Sequence, residues 1–241
     1  MLKTKCAVLV GALVATSAVL ADNGRGCQGL PNHSQLEAAL TGALGGNGGF
    51  EFPMWGTIVN RSGEVCAVAK TGDAWPGSRV ISAQKANTAN AFSSSSVSLS
   101  TANLYSAVQP GGSLFGLQES NPVNPFVAYR GRANQFGTPN DPMNGLRIGG
   151  VNVFGGGLAL YAPDGKTVVG GVGVSGDTSC ADHNIAWKVR AALGFVKIVG
   201  GVAPDGTDNI IYDIANGESV GGFGHPKCNA ASVAPAANVT K

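Results

Sequence analysis

The chain has 241 residues, enough for one sizeable hydrophobic core, and its 37 glycines far exceed the roughly 7 per cent of an average protein. The formal net charge is only +2, and lysine and arginine form no cluster along the sequence. Nucleic acid and anionic membrane surfaces are therefore disfavoured as partners, because both call for a concentrated positive patch. The glycines follow no repeat period, so we expect them at turns and at close contacts between elements.

Residues 1–21 have the pattern of a secretory signal peptide. Lys3 and Lys5 form a basic start, an apolar run follows to Leu20, and Ala21 marks the expected cleavage site. The apolar run is too short for a convincing membrane span. Without this segment the chain keeps 14 basic and 14 acidic residues and is formally neutral. We expect a periplasmic or secreted protein.

Four cysteines remain after cleavage, and an even number in an exported protein favours two disulfides. Three connectivities are possible. We expect Cys27–Cys66 and Cys180–Cys228, since each bond would tie a terminal segment to the core. A metal site built from these cysteines is less favoured, because the sequence has no CxxC pair.

The first half of the chain predicts a helix, a hairpin and a second helix. Ser34 and Glu37 form a capping-box pattern ahead of apolar residues at helical spacing, which predicts a helix over residues 34–44. Two short strand-like runs around a glycine turn predict a hairpin over 55–70. The next helical pattern covers residues 78–92.

Residues 106–149 form a long segment rich in Gly, Pro and Asn, which is typical of a lid, an interface element or a disordered insertion. A second hairpin is predicted over 157–175 and a last helix over 178–193, and residues 230–241 are predicted to be a disordered tail. Two hairpins without βαβ alternation predict one α+β domain over 22–229, in which helices pack on an antiparallel sheet.

The strand before the last helix has one apolar face and one nearly bare face, because Gly171 and Gly173 alternate with valines. A bare face admits a helix, another subunit or a flat ligand. Polar residues then gather where the helix starts, and exposed backbone N–H groups there favour anions. We therefore predict a site for a carboxylate-bearing ligand, with contacts from Ser175, Gly176, Asp177 and Asp182. Asp182 has the alternative role of accepting from N–H groups at the helix start.

Several short motifs in a fixed order carry a family resemblance: Gly63-Glu64-Val65, Gly72-Asp73-Ala74, Gln84-Lys85-Ala86-Asn87-Thr88-Ala89 and Gly170-Gly171-Val172-Gly173-Val174-Ser175-Gly176. Together they resemble the GlcG/HbpS-like haem-degrading domain family over roughly residues 34–195, interrupted by the insertion. The resemblance implies one α+β domain with a central antiparallel sheet, assembly into homo-oligomers, and haem as a ligand.

On the second helix, Lys85 and Thr88 share a face otherwise used for burial, and an isolated buried lysine is costly unless it is paired. With the family in mind, we predict that Lys85 meets an anionic ligand group such as a haem propionate. The alternatives are an ion pair with Asp73 or Asp177, or a chain that extends to the surface. Asp73 is also a candidate ligand contact, because binding residues are frequent in loops on a rigid scaffold.

His183, Trp187 and Arg190 fall on one side of the last helix. They could ligate haem iron, stack on the macrocycle and hold a propionate, respectively. The alternative for His183 is an ordinary surface position. His225 is the rival iron ligand, because the expected disulfide at Cys228 would bring it close to the same helix.

These expectations point to an exported protein that binds haem or a small carboxylate ligand. The sequence contains no GxSxG or HExxH motif, so binding is favoured over catalysis. One alternative is an enzyme that degrades haem or converts a small oxidised metabolite, with His183 or Asp182 handling protons. The other is a non-catalytic assembly module that packs its bare strand against a neighbour.

Overall fold

The computed structural model describes residues 26–237, so the predicted signal peptide at 1–21 and residues 238–241 lie outside the described part. The strands are β1 Trp55–Asn60, β2 Val65–Lys70, β3 Gly157–Tyr161, β4 Val168–Ser175, β5 Ile214–Ala215 and β6 Glu218–Ser219. The helices are α1 His33–Gly42, α2 Pro76–Ala91, α3 Leu117–Ser120, α4 Pro125–Ala128, α5 Ser179–Ala192 and α6 Ala230–Ala237. No helix within residues 26–237 has the length and apolar character needed to cross a bilayer.

The central sheet confirms the predicted α+β class. Its four strands are antiparallel in the order β2-β1-β4-β3, so the two predicted hairpins lie side by side and meet through β1 and β4. Helices α1 and α5 pack on one face with a core that includes Leu36, Ile58 and Val172. Helix α2 covers the other face, across β4, β1 and β3.

The N-cap of helix α1 lies two residues before the predicted cap at Ser34. Asn32 is the N-cap, and its Oδ1 accepts from the backbone N–H of Gln35 at 3.0 Å. The Gln35 side chain accepts in return from the Asn32 N–H at 2.9 Å, which completes a capping box. The prediction of a cap at Ser34 is wrong, because the Ser34 hydroxyl instead donates to Asn32 Oδ1.

The bare face of β4 is filled by a helix of the same chain. A Cβ atom on Gly173 would overlap the carbonyl oxygen of Ser82, and one on Gly171 would overlap that of Ala86. The backbones of α2 and β4 therefore touch, as a strand without side chains permits. Of the three expected occupants, a helix is the one found, and the flat ligand expected directly on this face is excluded by α2.

The insertion at 106–149 folds against α2. Arg79 donates from Nε to Asp141 Oδ2 at 2.9 Å and from Nη1 to the Ala128 carbonyl at 2.7 Å, and all three residues are buried. The Arg79 guanidinium also lies 3.8 Å from the centre of the Phe136 ring. The insertion is thus joined to the domain by a buried ion pair with several hydrogen bonds, and it contributes Met143 to the core beneath it.

The C-terminal segment is ordered where the sequence predicted disorder. Helix α6 lies beside α5, where Asn184 Nδ2 donates to the Ser232 carbonyl at 3.0 Å. Asn209 Nδ2 donates to the Ala236 carbonyl at 2.7 Å, and Ala236 packs in a small cluster with Cys180. The prediction of a disordered tail from residue 230 is therefore wrong through Ala237, because α6 buries apolar and polar groups against α5. Residues 238–241 lie outside the described part.

Both expected disulfides are present, Cys27–Cys66 and Cys180–Cys228. The first joins the chain ahead of α1 to strand β2. The second joins the first turn of α5 to the segment that precedes α6. Each bond ties a terminal segment to the central domain, as predicted.

Gly173→Ala should destabilise the protein, because the added methyl group meets the α2 backbone rather than a flexible side chain. We expect a loss of about 1–3 kcal/mol in the free energy of unfolding, measured by urea denaturation. Gly77→Ala is the matched control, since a Cβ atom there meets nothing within 4 Å in the first turn of α2. The control should be neutral or stabilising by up to about 1 kcal/mol. Equal losses in the two variants would contradict the close contact.

Candidate functional site

Lys85 and Asp182 form a buried ion pair between α2 and the start of α5. Lys85 Nζ donates to Asp182 Oδ2 at 2.6 Å and to the Val174 carbonyl at 3.1 Å. Asp182 Oδ1 accepts from the backbone N–H groups of Gly176 and Asp177 at 3.1 and 2.9 Å. The alternative pairing of Lys85 with Asp73 or Asp177 is wrong. Asp182 accepts from backbone N–H groups, but these belong to the turn before α5 and not to the helix start as predicted.

Burial makes both charges of this pair costly. It raises the pKa of Asp182 to about 6, against the opposing effect of the lysine charge, and it lowers the pKa of Lys85 against the effect of Asp182. Removing one partner of such a pair leaves an unpaired buried charge, which costs far more than the pair itself contributes. The pair therefore fixes the position of α5 relative to α2.

The remaining residues of the β4–α5 turn hold backbone groups of the same chain. Asp177 Oδ2 accepts from the backbone N–H groups of Phe50 and Phe52, at 2.8 and 3.3 Å. Ser175 pairs with Trp55 in the sheet, and a Cβ atom on Gly176 would meet the backbone of the segment before β1. Ser175, Gly176 and Asp177, which were predicted to contact a ligand, thus make contacts within the chain that shape the turn.

Four side chains form one stripe along α5, with the spacing of a single helix face: Cys180, His183, Trp187 and Arg190. Residues 201–229, which we call the cap, cover this stripe. Arg190 donates to both carboxylate oxygens of Asp208, from Nη1 at 2.6 Å and from Nη2 at 2.8 Å. The Arg190 guanidinium also lies 4.6 Å from the centre of the Trp187 ring.

Asp208 is the counter-ion that the buried arginine of the stripe requires. Burial opposes its ionisation, but the Arg190 charge and hydrogen bonds hold the pKa of Asp208 below its usual value. Ser98 Oγ donates a further bond to it at 2.8 Å. Sequence reasoning missed Asp208, because it follows Asp205-Gly206-Thr207 in what resembles an exposed turn. One signal in the sequence could have indicated such a partner. Arg190 lies on a helix face predicted to be buried, and no acidic residue lies one helical turn away from it.

His183 is fully buried, so its alternative assignment to the surface is wrong. Its Nε2 lies 3.1 Å from Asn209 Oδ1 and 3.1 Å from the backbone nitrogen of Ile210, whose N–H also donates to Asn209 Oδ1 at 2.8 Å. Because the shorter of the two Ile210 bonds is the one to Asn209, we assign the ring proton of His183 to Nε2, which leaves a lone pair on Nδ1. That buried Nδ1 has no hydrogen-bond partner among the described residues. Burial lowers the pKa of His183 to about 3.

His225 lies in the cap and is 2% exposed. Its Nδ1 donates to the Pro226 carbonyl at 2.8 Å, so the lone pair is on Nε2, which has no partner within residues 26–237. Burial, assisted by the nearby positive charge of Lys85, lowers the pKa of His225 to about 4 against the opposing effect of the hydrogen bond to Pro226. A neutral imidazole whose Nδ1–H binds a carbonyl is the form in which histidine ligates metals.

Two predicted ligand contacts lie apart from the stripe. Asp73 is exposed in the loop before α2, and none of the hydrogen bonds described for residues 26–237 joins it to the other predicted residues. Thr88 donates to the Gln84 carbonyl at 2.7 Å and accepts from the Asn152 N–H at 2.9 Å. Thr88 thus fastens the end of the insertion to α2.

A cavity of about 450 Å³ opens where the cap leaves α5, a volume typical of small-molecule sites. Trp187 and Arg190 line it from the helix, Thr207 lines it from the cap, and Lys166 and Lys197 add two positive charges. In the described part of the chain, no group of three or more histidine, cysteine or acidic side chains is placed to hold a bare metal ion.

Acid should destabilise the protein through its two buried histidines. Both stay neutral when folded but bind protons below pH 6.5 when unfolded, so the free energy of unfolding falls as pH drops from 6.5 towards 4. Asp182 opposes this below pH 6, because its folded pKa is the raised one. His183→Gln and His225→Gln should each reduce the slope by up to about 1.4 kcal/mol per pH unit, measured by urea denaturation from pH 7.5 to 4.5.

His33→Gln is the control for this experiment, because His33 is only half-buried, at the start of α1. Unchanged slopes in both of the other variants would show that His183 and His225 are protonated in the folded state.

Three solved structures resemble the chain. A haem complex of PduOC is 25% identical, covering 68% of this chain and 94% of its own, with a TM-score of 0.48. The Klebsiella pneumoniae protein ORFY is 26% identical, covering 66% and 86%, with a TM-score of 0.45. A double mutant of HbpS from Streptomyces reticuli is 16% identical, covering 79% and 99%, with a TM-score of 0.44. No curated protein matches the chain.

A family model described as haem degrading protein HbpS-like matches residues 37–191. The matched part contains the whole central sheet, helix α2, the insertion and nearly all of α5, and it ends before the cap. Since this match spans well over half of the 241 residues, the chain belongs to the HbpS-like family of haem-degrading proteins.

Proposed function

We propose that this protein binds haem, or a related planar ligand that carries carboxylates, between the α5 stripe and the cap. Membership of the HbpS-like family supports haem as the ligand class. The observation that carries the proposal is a pair of buried neutral imidazoles, each with a ring nitrogen that has no partner in the described part of the chain. Such a nitrogen is costly to bury unless something binds it.

The two histidines would bind the ligand from opposite sides of the interface. His183 comes from α5 and His225 from the cap, and their charges are close enough to affect each other. The carbonyl of Pro226 orients the His225 ring so that Nε2 is the free nitrogen. Haem would supply an iron that can accept such lone pairs, and His183 and His225 are the residues that would hold it. His225 has the better-defined geometry and is the stronger candidate.

The cavity where the cap leaves α5 has groups that suit the ring and the carboxylates of such a ligand. Trp187 offers an aromatic ring, and Lys166 and Lys197 at the cavity offer charges for carboxylates. Arg190 is already engaged by Asp208, which shows that this position accepts a carboxylate. Because the cap covers both histidine rings, ligand binding requires the cap to move away from α5.

We also propose that the protein is exported and forms homo-oligomers. The two disulfides support export, since such bonds persist in oxidising compartments. Large exposed apolar side chains on the insertion support self-association, with Phe126 87% exposed and Phe115 and Tyr129 nearby in sequence.

Expression of the full sequence tests both proposals. The intact mass of the secreted product should correspond to a chain that begins at Asp22, and its molar mass by light scattering should be larger than that of one chain. An unprocessed monomer would contradict both proposals.

A haemin titration tests the binding proposal. The oxidised protein with intact disulfides should give a saturable, stoichiometric shift of the Soret band at long incubation. His225→Ala and His183→Ala should each weaken binding at least about tenfold, because each removes a ligand nitrogen. His33→Ala is the matched control and should bind like the unmodified protein, since it removes the one remaining histidine of the chain.

A featureless, non-saturating response would contradict haem binding. A saturable shift that neither His225→Ala nor His183→Ala weakens would place the ligand elsewhere. Urea midpoints of the variants show whether each is folded under the titration conditions.

A further inference from the structure

The cap contacts the α5 stripe in the way a ligand would. Asp208 presents a carboxylate to Arg190 through two hydrogen bonds, and Asn209 presents a polar atom to His183. These two adjacent residues thus occupy the two positions at which a carboxylate-bearing ligand would bind. The cap also lies beyond residue 191, where the family match ends.

One covalent bond fastens the cap to α5. Cys180 is fully buried in the first turn of α5, whereas Cys228 is exposed at the end of the cap. The other contacts between the cap and the domain are reversible, and they include the hydrogen bonds from Asn103 to the Asn209 carbonyl and from Ser106 to the Gly224 carbonyl. The disulfide is thus the bond that keeps the cap close to the stripe when these contacts break.

We propose that the cap is a removable occupant of the ligand face of α5, and that the Cys180–Cys228 disulfide is its redox-sensitive latch. Reduction frees the cap to leave the stripe and admits the ligand. The ligand class rests on the proposed function, whereas release of the cap on reduction stands independently of it.

The chemistry of opening is thiol–disulfide exchange with a dithiol, either a small molecule or an oxidoreductase. One thiolate of the dithiol attacks the exposed Cys228 Sγ, a new S–S bond forms, and the bond to Cys180 Sγ breaks. The second thiol then displaces Cys228, so that the dithiol becomes a disulfide. Two electrons pass to the protein, and the two protons of the dithiol end on Cys180 and Cys228.

The positions of the two sulfurs favour this direction of attack. Cys180 is the leaving group, and its thiolate would form in the first turn of α5, where the helix dipole stabilises negative charge. The backbone N–H of Cys228 donates to Cys180 Sγ at 3.2 Å and that of Cys180 donates to Cys228 Sγ at 3.3 Å, so the direction of attack rests on the exposure of Cys228 and on the helix start. The other disulfide differs, because Cys66 lies within β2 and both of its cysteines are half-buried.

Hydrogen exchange of the full chain tests the latch without any ligand. The double variant Cys180→Ser/Cys228→Ser should exchange the amides of the cap at least about tenfold faster than the oxidised protein. Two informative amides are those of Ile210 and His225, which are bonded to Asn209 Oδ1 and to the Ile211 carbonyl. The matched control is Cys27→Ser/Cys66→Ser, in which cap exchange should stay slow. Equal cap exchange in both variants would overturn the latch.

Haemin binding kinetics separate the latch from the proposed function. With the latch removed, or reduced by dithiothreitol, haemin should bind at least about tenfold faster, because a larger fraction of the protein is open. Fast cap exchange without saturable haemin binding would support the latch and overturn haem binding. Saturable binding at one rate in all variants would support haem binding and overturn the latch as a gate.

Discussion

The rest of the structure depends on the close contact between helix α2 and strand β4. Gly171 and Gly173 let the two backbones touch, which places α2 deep against the sheet. At that depth Lys85 Nζ reaches the end of β4 and meets Asp182, whose second oxygen organises the turn into α5. The packing of α2 on the sheet, the turn after β4 and the direction of α5 thus depend on glycine at positions 171 and 173. A residue any larger than glycine on this face would separate the parts that build the candidate site.

Helix α5 is buried on two sides for different reasons. Ile185 and Val189 pack in the main core, which stabilises the fold by removing apolar surface from water. The stripe that includes His183 and Arg190 is polar, and burying it is favourable only where each group has a partner. Arg190 has one in Asp208, but the Nδ1 atom of His183 has none among the described residues. A fold stabilised elsewhere can tolerate this cost at a binding surface.

Local patterns predicted most elements, whereas contacts between distant residues, apart from the two disulfides, escaped prediction. Both hairpins follow from alternating side chains around glycine turns, and the disulfide pairing follows from where the cysteines lie along the chain. The order of α6 could not be predicted, because its composition is unremarkable and its stability comes from contacts with α5. Asp208 was missed for the same reason: its partner Arg190 is separated from it by a loop, and no periodicity connects the two. Helical spacing predicted that three of the four stripe residues, His183, Trp187 and Arg190, share one side of α5.

The two disulfides also determine how the chain would respond to mechanical load. They close loops of 39 and 48 residues near either end of the domain. A pulling force applied outside Cys27 and Cys228 would pass across the sulfur bridges and bypass α1, β1, α5 and the cap. Between Cys27 and Cys228, the part of the chain that could extend runs from Cys66 to Cys180 and contains α2, the insertion, β3 and β4. An intact domain would therefore resist stretching at its ends and yield first in its centre.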